Sequence, residues 1–107
     1  MDLSHVLEIA SSTDPGMVRS HNEDAVATDA AHGIVVLADG MGGYNAGEVA
    51  AGMATTLITA ELLRALRGVR PYDIDPQSDR PIAERLLREQ VLNANASIYQ
   101  AAQSQPQ

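Results

Sequence analysis

The chain has 107 residues, the size of one small domain or of part of one, and its 45% hydrophobic content is enough to build a core. Seven basic residues against 14 acidic ones leave a formal charge of −7, which argues against a nucleic-acid backbone as partner. Cysteine is absent, which excludes disulfides and thiolate metal sites, and without Phe or Trp the core must come from Ala, Val, Leu, Ile and Met.

The N-terminal residues Met1-Asp2-Leu3-Ser4-His5 lack the basic and apolar regions of a signal peptide. The longest unbroken apolar run, Ile34 to Ala38, is far too short to span a bilayer. A soluble, cytoplasmic protein with no membrane partner is the expectation.

Apolar side chains at Val6, Leu7 and Ile9 suggest a short first strand, and the turn formers from Ser11 to Gly16 predict a reversal after it. Ala25 to Thr28 resumes extended character. The run Asp29-Ala30-Ala31-His32-Gly33 reads as a hairpin loop with Gly33 free to take positive φ. Ile34-Val35-Val36-Leu37-Ala38 has no polar alternation and predicts a strand buried on both faces.

Asn45 with Glu48 three residues on forms a capping box, so a helix should begin near Ala46. Val49, Met53, Thr56, Leu57, Ala60 and Leu63 recur at helical spacing and predict its inward stripe. Ala50, Ala51, Gly52 and Ala54 would let it approach a sheet closely. Arg64 and Arg67 suit its C-terminal end, and Gly68 fits the position just past it. Residues 68–80, with Pro71 and Pro76, read as a loop. Ser78 or Asp79 is expected to cap a second helix carrying Pro81 in its first turn. Its apolar face is predicted at Ala83, Leu87, Val91, Ala94, Ile98 and Ala102, supported by Leu86. Strands over about 5–39, a helix over about 46–67 and another over about 81–103 define an α+β layout with both helices on one face of a sheet. Three short strands are a small sheet for two long helices, and nothing in the sequence covers the second apolar face.

The acids carry the chemistry. Glu23 and Asp24 follow Arg19 closely, and Asp39 ends an apolar strand immediately before Gly40. Carboxylates there, joined by a Gly40 carbonyl that no side chain shields, form an oxygen-only donor set suited to Mg²⁺ or Mn²⁺ rather than Zn²⁺. Arg19 has the geometry to hold a phosphate oxygen pair or simply to pair with the neighbouring acids. On spacing alone, Glu23 and Asp24 could equally be a solvated turn and Asp39 a strand-end cap.

The runs Thr13-Asp14-Pro15-Gly16, Arg19-Ser20-His21-Asn22-Glu23-Asp24, Ala38-Asp39-Gly40-Met41-Gly42-Gly43 and Gly47-Glu48 resemble the N-terminal part of bacterial PP2C-type (PPM family) metal-dependent serine/threonine phosphatases. The resemblance extends from about Ile9 to Ser97, where Asn93-Ala94-Asn95 also looks like the family. It implies part of an α-β-β-α sandwich. It further implies that Asp39 bridges two Mn²⁺ or Mg²⁺ ions, with the Gly40 carbonyl and Glu23 on the second metal. Asp24 would then hold metal-bound water, and Arg19 would bind the substrate phosphate. The implied reaction is hydrolysis of a phosphoserine or phosphothreonine protein by a metal-bridged hydroxide, opposing a serine/threonine kinase.

Two departures stand out. Met41 occupies the position where many eukaryotic members carry His, so no side chain is an obvious proton donor. The family's further aspartates lie in C-terminal motifs beyond this stretch, so the 107 residues read as an incomplete domain, inactive alone. A non-catalytic segment that binds a phosphoprotein or other partner is the alternative. A nucleotide-binding strand, glycine loop and helix is weaker still. The sixth position of a G-x-G-x-x-G pattern is Asn45, Asp39 and Glu48 would repel an anion, and no Lys follows Gly47.

Overall fold

The computed structural model describes residues 2, 3, 9, 24–40 and 46–104. Strand β1 (Asp24–Asp29) and strand β2 (Ile34–Asp39) form an antiparallel hairpin. Gly33 closes its loop at φ 68°, and its N–H donates to the Ala30 carbonyl at 3.3 Å. Asp29 Oδ1 fastens the same loop by accepting from the His32 N–H and lying 3.1 Å from His32 Nδ1. These His32 contacts draw the Asp29 carboxyl below the ordinary aspartate range. The Leu3 N–H reaches the Ala31 carbonyl at 2.6 Å, tying the start of the chain to the hairpin tip. The expected first strand over residues 5–10 falls, apart from Ile9, outside the described residues, and Ile9 itself is not in a strand.

Helix α1 (Ala46–Ala65) starts at the residue that the capping box predicts. It ends two residues short of the expected position, in a turn that closes on Gly68 at φ 69°. Its inward stripe differs from the one expected. Gly47, Ala51, Thr55 and Leu62 are buried, whereas Val49, Thr56 and Ala60 are exposed and Met53, Leu57 and Leu63 only half-buried. The reason is close packing: a helix held between near neighbours buries its smallest side chains and turns the larger ones to the sides. Gly52 is not part of that close approach, because a Cβ there would meet nothing within 4 Å.

After α1 the chain makes a short excursion containing two two-residue strands, β3 (Ile74–Asp75) and β4 (Arg80–Pro81), where a plain loop was expected. Helix α2 (Ile82–Ser104) follows. Neither Ser78 nor Asp79 caps it, and Pro81 lies in β4 rather than in the first turn. The first helical N–H groups instead find loop carbonyls, Ile82 donating to Asp73 at 2.7 Å and Ala83 to Pro71 at 3.1 Å. Asp79 takes φ 60°, a left-handed conformation that Asp tolerates better than most residues.

Helix α1 packs on the hairpin and α2 packs on α1, so the second helix is not laid on the sheet as expected. The core is correspondingly narrow. Ile34, Leu62 and Leu86 form its buried centre, with Val36, Leu66, Val69 and Ile82 among the residues against it. Ala94 is the other buried apolar residue of α2, while Leu87 and Val91, placed on the inward face by periodicity, are exposed. Among the described residues no helix is long and apolar enough to cross a membrane.

Candidate functional site

The hairpin register decides where the acids go. Asp24 pairs directly with Asp39, Val26 with Leu37 and Thr28 with Val35. Directly opposed residues of an antiparallel pair share a face, so these six side chains stand on one side of the hairpin. The other side carries Ala25, Ala27, Ile34, Val36 and Ala38 toward α1. Val35 is 61% exposed and Leu37 71%, which corrects the expectation of a strand buried on both faces. The described residues cover only the α1 side of the hairpin.

The two carboxylates therefore meet at the open end of the hairpin, beside an uncovered apolar surface. Opposed Cβ atoms of such a pair are about 5 Å apart, and like charges placed so destabilise the pairing. Gly40 follows at once, its carbonyl an additional oxygen donor next to Asp39. A hard divalent cation fits the chemistry of this all-oxygen donor set. Among the described residues no group of three or more His, Asp or Glu side chains converges, so the pair is what these elements supply. Glu23 and Arg19, and residues 41–45 between β2 and α1, lie outside the described residues.

A second carboxylate contrasts with this pair. Asp75, 4% exposed, accepts from the Gln77 N–H at 3.2 Å, from Ser78 Oγ at 3.3 Å and from Arg85 Nε at 2.9 Å. Its own carbonyl accepts the Ser78 and Asp79 N–H groups. The hydrogen bond from Gln77 and the Arg85 guanidinium hold the Asp75 carboxyl below the usual range. This residue is structural, and sequence reading passed over it. The Asp75-Pro76-Gln77-Ser78 run is a recognisable Asx-turn signature, but the Arg85 partner ten residues on is not visible in a local pattern.

Part of the chain is similar to the serine/threonine protein phosphatase PstP of Mycobacterium tuberculosis, with 53% identity over 45 residues, 42% of this chain and 8% of the relative. The protein phosphatase PhpP of Streptococcus pneumoniae is 43% identical over 53 residues, 47% of this chain and 22% of the relative. The serine/threonine phosphatase stp of Listeria innocua is 46% identical over 50 residues, 44% of this chain and 20% of the relative. The matched stretch thus spans less than a quarter of each of these phosphatases. No family model matches the chain.

Proposed function

We propose that this chain is part of a metal-dependent serine/threonine protein phosphatase and supplies one side of its two-metal centre. The observation that carries the reading is the opposition of Asp24 and Asp39 at the end of the hairpin, in a chain similar to three bacterial phosphatases. Asp39, the Gly40 carbonyl and Glu23 would hold Mn²⁺ or Mg²⁺, with Asp24 accepting from water near them. When bound, the metal supplies charge neutralisation at phosphorus and a more acidic water. Arg19 binds two phosphate oxygens of the substrate and orients the ester for in-line attack. In the net reaction a water oxygen bonds to phosphorus, the Ser or Thr oxygen leaves with a proton, and inorganic phosphate is released. No residue of the chain is phosphorylated on the way.

The partners of such an activity are phosphoserine or phosphothreonine proteins and the kinase that modifies them, in the cytoplasm. The small share of each relative that is matched supports a centre completed by residues outside this stretch, so turnover by the 107 residues alone is not expected. The same small share supports, as a second reading, a non-catalytic segment that binds a phosphoprotein or other partner without hydrolysing it.

Isothermal titration with Mn²⁺ separates these readings from a structural role for the acids. Binding is expected in the parent chain and should be weakened about tenfold or more by Asp39→Asn or Glu23→Gln. Unchanged affinity in both variants would show that the metal assignment is wrong. Hydrolysis of p-nitrophenyl phosphate should be at background with the chain alone. Turnover that disappears in Asp39→Asn would instead make the chain a self-sufficient enzyme.

A further inference from the structure

Every basic residue of the chain is an arginine, and only Arg19 lies outside the segment from Arg64 to Arg88. Several of these are used internally: Arg64 by Glu61, Arg80 by Glu84, and Arg85 by Asp75 and Glu89. Arg67 and Arg70 are exposed and make no ion pair with the described residues. Arg70 opens a turn in which the Asp73 N–H donates to its carbonyl at 3.0 Å, and Arg67 lies three residues before it. Within and after that turn Tyr72 is 86% exposed and Ile74 57%. From Arg67 to Ile74 there are two cations and one acid, Asp73, in a chain of net charge −7.

This excursion is fixed rather than loose. Its carbonyls at Pro71 and Asp73 cap α2, and Asp75 anchors it to Arg85 through a buried carboxylate. Tyr and Arg are the residue types that dominate binding energy in protein interfaces, and holding them in place before contact removes part of the ordering cost. We propose that Arg67, Arg70, Tyr72 and Ile74 form a docking surface for an acidic protein segment carrying an apolar side chain. Its carboxylates meet the two guanidinium groups and its apolar residue lies on Tyr72 and Ile74. An anionic membrane is the less suitable occupant, because its extended charge also meets the acids elsewhere on this chain of net charge −7, whereas a short segment meets mainly the two local cations within a screening length.

The test uses the 107-residue chain and a fluorescein-labelled peptide, Asp-Glu-Asp-Leu-Glu-Glu-Asp, read by fluorescence anisotropy without metal. Saturable binding is expected that weakens with added salt. Arg70→Glu and Arg67→Glu should each reduce affinity about tenfold, and Tyr72→Ala by a similar factor. A peptide with Lys in place of every acid should not bind. These positions are solvent-facing, so circular dichroism should match the parent for all three variants. Equal affinity across parent and variants would overturn the proposal, as would absence of binding. Sedimentation of the chain with phosphatidylserine vesicles, lost in Arg70→Glu, together with no peptide binding would assign the surface to membranes and refute the peptide reading. Because the readout needs neither metal nor turnover, its failure leaves the phosphatase reading standing, and the converse also holds.

Discussion

Asp75 and Asp39 are both aspartates at the ends of short strands, yet the chain treats them in opposite ways. Asp75 is buried and answered from three directions by groups of its own chain, namely a backbone N–H, a hydroxyl and a guanidinium. Asp39 is exposed and set against another carboxylate, Asp24, at the open end of the hairpin. A carboxylate satisfied from within serves the fold. One aligned across the strands with a second acid does not serve the fold in that way, and it is at this hairpin end, not in the loop, that the metal proposed above would be held.

Removing the satisfied acid should have the largest effect. Asp75→Asn leaves the Arg85 guanidinium without its buried partner and loosens the cap of α2, and melting should fall by roughly 5–10 °C. The same variant tests the pH dependence. A carboxyl whose folded value lies below its unfolded value stabilises fully above the ordinary aspartate range, and this contribution is lost as pH falls through the lowered value. The acid limb of the parent's stability curve should therefore flatten in Asp75→Asn, measured as melting temperature against pH. An unchanged limb would show that Asp75 is not the satisfied acid it is taken for.

Gly52→Ala sets the scale for a change outside both regions. With open space around the missing Cβ and a mid-helix position, it should stabilise by about 0.5–1 kcal/mol in urea unfolding. Smallest, and of opposite sign to Asp75→Asn, is the effect of Asp39→Asn in metal-free buffer. Relief of the cross-strand repulsion should raise stability by about 0.5 kcal/mol. In the presence of Mn²⁺ the order should reverse, because only the parent gains stability from ligand binding. If Asp39→Asn destabilises the metal-free chain, the contrast between the two aspartates fails.

Local signals carried well from sequence to structure. The capping box placed the first residue of α1, and Gly68 took the left-handed conformation that its place after the helix required. The hairpin loop with Gly33 was legible for the same reason, since turn chemistry is written within a few residues. Counting outward from Asp29 and Ile34 already brings Asp24 opposite Asp39, so the pairing of the acids was implicit in the loop. What the pattern of large apolar residues could not convey was closeness. Gly47, Ala51 and Thr55 are the buried residues of α1's first half because close packing selects small side chains, and periodicity of Val and Leu points elsewhere. Nor could it show that α2 leans on α1 and the β3–β4 excursion rather than on the hairpin, or that Asp75 finds Arg85, since both depend on contacts distant in sequence.

The Asp29–Gly33 loop acquires a wider meaning from the register it sets. Side chains alternate along a strand, so a slip of β2 by one residue against β1 would send Asp39 to the α1 side and bring Ala38 opposite Asp24. The candidate site thus depends on the length of a loop at the far end of the same hairpin. An insertion or deletion between Ala30 and His32 could dismantle it while leaving every acid of the sequence in place. A related sequence that keeps both aspartates but changes that loop by one residue has kept the letters of the site and lost its spelling.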